Sequence, residues 1–86
     1  MNQLAVSLAG HDKGRIYAIV SEEEGEVLLA DGKAKTIDRP KRKNQKHIRR
    51  IGNLPKEMKE ELGKVAQDCD LIYVLRKYQA YQKEKR

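Results

Sequence analysis

The stretch LAGHDKGRIYAIV, Leu8 to Val20, closes a charged tripeptide between two glycines and resumes an apolar run at once on the far side. Short β-rich runs broken by Gly and Asp read as strands joined by a tight turn. With Leu4–Leu8 and Arg15–Val20 as neighbouring strands, AGHDKG is the hairpin loop between them. Gly10 and Gly14 then stand where the backbone takes a positive φ or passes close to another chain, at no Cβ cost. Asp12 is expected to cap a local turn through its carboxylate, with Lys13 and Arg15 pointing outward and His11 an exposed loop residue.

Outward from this loop the chain divides into two halves. Up to Gly52 the apolar residues come in short Val-, Ile- and Leu-rich runs, which predict strands near Leu4–Leu8, Arg15–Val20, Glu26–Ala30, Lys33–Ile37 and His47–Arg50. Five short strands in some fifty residues, with no room for helical crossovers, predict a mainly β fold: a small antiparallel barrel over residues 1–52. From Asn53 the period changes. Leu54, Met58, Leu62 and Val65 line one face of a helix, with Asn53 as its N-cap and Pro55 in its first turn. A second helix is expected after Asp68, read as another N-cap, with Leu71, Val74 or Leu75, Tyr78 and Tyr81 on one side. Arg76, Lys77, Lys83, Lys85 and Arg86 fall toward its C-terminal end, where the helix dipole favours cations. Residues 53–86 thus form a C-terminal α-helical extension that packs on the barrel or on a partner.

Length and composition bound the rest. A chain of 86 residues makes one domain with an appendage. With 38% hydrophobic residues, no Phe and no Trp, its core is small and aliphatic. One cysteine, Cys69, makes no internal disulfide, and MNQLAVSLAG lacks the features of a signal peptide, so a cytoplasmic location is expected. The longest apolar run, LIYVL at Leu71–Leu75, is far shorter than the roughly 20 residues of a membrane span.

Gly10, Asp12, Lys13 and Gly14 followed by RIYAIV resemble the KOW motif, the strand-loop-strand element of many ribosomal proteins and some transcription elongation factors. EVLLADG at Glu26–Gly32, ending in Asp31 and Gly32, and RPKRKNQKHI at Arg39–Ile48 are similar to the KOW-containing large-subunit ribosomal protein family of the fourteen-e type. The resemblance runs over residues 4 to 51. It implies an SH3-like barrel that binds RNA, with Gly10, Asp12, Gly14, Asp31 and Gly32 as motif residues that shape turns.

Charge points the same way. Between Lys33 and Arg50 nine Lys or Arg stand against one acid, Asp38, a net +8 in a chain of net +6, so the remainder sums to about −2. So local a concentration makes a footprint for a polyanion. Arg39, Lys41, Arg42, Lys43, Lys46, Arg49 and Arg50, with Lys13 and Arg15 of the loop, suit phosphate contacts. Asn44 and His47 can hydrogen-bond phosphates, 2′-hydroxyls or base edges. The acidic run SEEEGE, Ser21–Glu26, repels phosphate and is expected to face away from RNA. Taken with the resemblance, which implies ribosomal RNA and the ribosome as a candidate setting, these residues predict a non-enzymatic protein that binds ribosomal or other structured RNA. The alternative is an SH3-like protein–protein interaction module of the translation or transcription machinery, although proline-rich ligands need an aromatic groove that a barrel without Phe or Trp lacks. No nucleophile–base set or phosphate-binding glycine loop is present, and one cysteine with two distant histidines does not make a zinc set; no catalytic residue, cofactor, metal or membrane partner is expected.

Overall fold

The computed structural model describes residues 1–84. Lys85 and Arg86, expected near the end of the second helix, lie outside the described residues. Five strands, β1 (Leu4–Ser7), β2 (Ile16–Glu23), β3 (Glu26–Ala30), β4 (Lys41–Asn44) and β5 (Ile48–Arg50), are followed by helices α1 (Lys56–Gly63) and α2 (Asp68–Glu84). The strands form one antiparallel sheet in the order β4-β3-β2-β1-β5, with β4 and β5 at its edges. A single 3-10 turn, Gln45–His47, joins those two edge strands.

Three of the expected strands sit where the apolar runs placed them, and β2 runs further, through the first glutamates of the acidic segment to a two-residue turn at Glu24–Gly25. The expected strand at Lys33–Ile37 is absent. Asp31 captures that segment: its Oδ1 accepts from the amides of Lys33 (3.0 Å) and Lys35 (2.9 Å), while its own amide and that of Gly32 donate to the Lys35 carbonyl. The amide of Ile37 donates to the Asp68 carboxylate at 2.8 Å. With these amides satisfied locally, no ladder forms. The fourth strand is instead the all-polar Lys41–Asn44, which periodicity of apolar residues does not reveal. His47 belongs to the 3-10 turn, so the last strand starts at Ile48.

Alternation sends the side chains of β1, β2 and β3 to two opposite faces. On the outer face Leu4, Ala18 and Ala30 pack with Leu54, with Met58 and Leu62 of α1 and with Leu71, Val74, Leu75 and Tyr78 of α2. On the inner face Ala5, Tyr17, Ile19, Val27, Leu29 and Ile48 make a second cluster with no helical member. A register shift between Ile19 and Ser21 marks a bulge in β2, and bulges bend a strand and increase its twist.

The helices differ from expectation at their starts. Asn53 is not the N-cap: α1 begins after Pro55, which has no cap side chain, and Leu54 is buried ahead of it. Asp68 is the first residue of α2 and not its cap, because its carboxylate reaches across to Ile37. Asp70 does the local work, accepting from the amides of Ala66 (3.2 Å) and Gln67 (3.0 Å) in the manner of the acidic member of a capping box. No helix among the described residues is long and apolar enough to cross a membrane.

Candidate nucleic-acid interface

β4 distributes its cations by alternation. Lys41 and Lys43 stand opposite Leu29 and Val27 and so share the inner face, whereas Arg42 points to the other side. Both ammonium groups meet the Asp12 carboxylate, Lys41 at Oδ2 and Lys43 at Oδ1, each at 2.8 Å, and Lys43 also donates to the Ala9 carbonyl. The Ser7 hydroxyl donates to Oδ1 at 2.9 Å and the Tyr17 hydroxyl to Oδ2 at 3.1 Å. Four donors thus converge on one carboxylate that is only 6% exposed.

Burial pushes the Asp12 carboxyl upward, but the hydrogen bonds from Lys41, Lys43, Ser7 and Tyr17 outweigh it and hold the group well below the usual carboxylate range. Tyr17 is pushed up to about 12, by burial first and then by its bond to the ionised Asp12. Asp12 is therefore not a cap for its own turn. The loop closes through backbone bonds, Gly14 N–H to Ser7 (2.8 Å) and Arg15 N–H to Asp12 (2.9 Å), which frees the carboxylate to turn inward. Gly10 and Gly14 adopt φ of +85° and +89°, as the sequence requires.

The acidic run takes up two further cations. Arg42 pairs with Glu23 (2.8 Å) and Glu26 (3.2 Å), and Arg50 pairs with Glu22 and also donates to the Gln3 side chain. Asn44 accepts from the Lys46 amide and caps the 3-10 turn. His47 is exposed, and its carbonyl accepts from the Leu8 amide at 2.8 Å, tying the β1–β2 loop to the β4–β5 connection. Lys13, Arg15, Lys33, Lys35, Arg39, Lys46 and Arg49 are exposed and form no salt bridge with a described residue.

Two grooves bring part of this set together with α2. One, of about 440 Å³, is lined by Val6, Arg49 and Arg50 from the sheet and by Tyr81 and Gln82 from the helix. The other, of about 350 Å³, places Arg15 beside Lys33 and Arg76, with Ile16 and Ile72 in its wall. Its acid, Asp31, is held by the Lys33 and Lys35 amides. Gly32 makes this arrangement possible: a Cβ there would lie 2.6 Å from the Asp68 carbonyl oxygen and 2.8 Å from Ile72. Sequence reasoning missed Arg76, which it assigned only to the helix dipole, and left Lys33 in an expected strand. Neither residue carries a local signal of its place, because only the packing of α2 on the 31–35 turn brings them together. Among the described residues no group of His, Cys, Asp and Glu is arranged to hold a metal ion. Neither a scan against protein-family models nor a search of curated proteins returns a match for the chain.

Proposed function

We propose that the chain is a non-enzymatic RNA-binding protein of KOW type, an SH3-like barrel with a helical extension, and that it binds ribosomal or other structured RNA through its exposed cations. One observation carries the reading: of the eleven Lys and Arg up to Arg50, seven stand exposed without a carboxylate partner among the described residues. A surface that leaves so much like charge uncompensated is suited to a polyanion, whose condensed counterions are released on binding. The barrel reading draws support from the inner cluster, where Ala5, Val27 and Leu29 are fully buried on a face that no helix covers; a sheet curled on itself accounts for that burial.

Crosslinking in cells followed by sequencing of the bound RNA identifies the target. On that RNA about five phosphate contacts give a slope of log affinity against log salt between roughly −3.5 and −4.5. A slope near zero, or partners that persist after nuclease treatment, would replace this reading with that of a protein-interaction module.

A further inference from the structure

We infer that the two grooves beside α2 form one track for a single-stranded RNA segment, with Arg15, Lys33 and Arg76 holding its phosphates at one end and Arg49 at the other. The inference rests on the RNA-binding reading and names the surface and the form of RNA it takes.

The register of the sheet joins the grooves. Val6 of the first groove pairs with Arg49 on one side and with Ile16 of the second groove on the other. Neighbouring strands lie about 5 Å apart, so Arg49 and Ile16 flank Val6 about 10 Å from each other, and Arg15 follows Ile16 in the chain. The two grooves thus stand on adjacent strands of one sheet, β5 and β1 under the first and β2 under the second.

Charge favours an anion along its whole length. Arg15, Lys33, Arg76 and Arg49 have no salt-bridge partner among the described residues; Arg50, opposite Ala5 in the register, turns to the other face, where Glu22 and Gln3 take up its guanidinium. The acid in the lining, Asp31, is occupied by two backbone amides. β4, richest in cations by sequence, offers less: Lys41 and Lys43 are held by Asp12, and Arg42 by two glutamates. Shape favours a single strand. The cations of the track line recesses between helix and sheet, and at about 440 and 350 Å³ each recess has the size of a small-ligand site. A flexible strand enters such recesses and presents its phosphates in file to a basic groove. A rigid duplex meets a protein through a broader surface.

The test uses fluorescence anisotropy on the full chain with a labelled RNA of about 12 nucleotides, single-stranded or annealed to its complement. The expected result is tighter binding to the single strand. The R15A/R76A double variant should lose roughly tenfold in affinity at about 50 mM salt and flatten the salt slope by about 1.4, since each lost contact on a single strand is worth about 0.7. R49A, at the other end, should lose part of the affinity on its own, and R42A should stay within about threefold of the parent. All four arginines are exposed, and unchanged melting midpoints confirm that the variants fold. Parent-like binding by R15A/R76A, or preference for the duplex, overturns the track while leaving RNA binding in place. Absence of binding by the parent chain to either RNA overturns both.

Discussion

At the scale of single residues, Asp12 organises the interior end of the β1–β2 loop. A carboxylate with four donors is costly to disturb, because its removal leaves two inward-facing ammonium groups without a counter-charge. Asp12→Asn should cost about 3 kcal/mol in urea denaturation. Its effect on pH dependence has a definite sign. The folded carboxyl titrates well below the unfolded one, which titrates near ~3.9. Its stabilisation is therefore complete above about pH 5 and is lost as pH falls through ~3.9 and below. The parent chain should lose stability on acidification in that window more steeply than Asp12→Asn does, and equal acid limbs would show that the carboxylate is not bound as described. Glycines give a second contrast. Gly14 has φ +89° with open space around a prospective Cβ, so Gly14→Val acts through backbone conformation and not through the crowding a tight hairpin suggests. Gly32 combines φ +84° with a contact at 2.6 Å to helix backbone. Gly32→Ala should melt lower than Gly14→Ala, by at least about 1 kcal/mol more in stability.

Among the elements, the helices do for the sheet what a second sheet does in a sandwich. Leu62 and Leu71 are completely buried against Leu4, Ala18 and Ala30, so the outer face depends on them. Leu62→Ala should cost about 3 kcal/mol through lost burial and the cavity left behind. A chain truncated after Gly52 should lose its cooperative thermal transition, since the outer face of a small aliphatic sheet would meet water; a cooperative melt at the parent midpoint would show the helices to be dispensable. The Asp68–Ile37 bond joins α2 to the 33–39 segment, which has no ladder of its own.

Across the whole molecule, the acidic hairpin neutralises cations of the same sheet. Glu22 and Glu23 draw on Arg50 and Arg42. Replacing both glutamates with Ala should raise RNA affinity roughly two- to fivefold at low salt, the scale of exposed ion pairs, and steepen the salt slope. Unchanged affinity and slope would mean that the charge of this hairpin does not reach the bound RNA.

The sequence by itself determined the elements whose signal is local: the glycine-bounded hairpin, the Val- and Leu-rich strands, and the helix that carries Met58 and Leu62, although Leu54 and Val65 of the same stripe fall just outside its two ends. Each follows from side-chain period or from a backbone angle that few residues adopt. Tertiary structure alone decided which cations stay exposed and uncompensated. Lys41 and Lys43 look from sequence like phosphate clamps, but pairing with β3 turns them inward onto a carboxylate some thirty residues away. Lys33–Ile37 looks like a strand, but Asp31 and Asp68 claim its amides. Arg76 joins Arg15 only because Gly32 lets α2 pack against the turn. Charge and hydrogen-bonding capacity belong to a residue, but their compensation belongs to whatever lies within a few ångströms, and that neighbourhood is set by long-range packing.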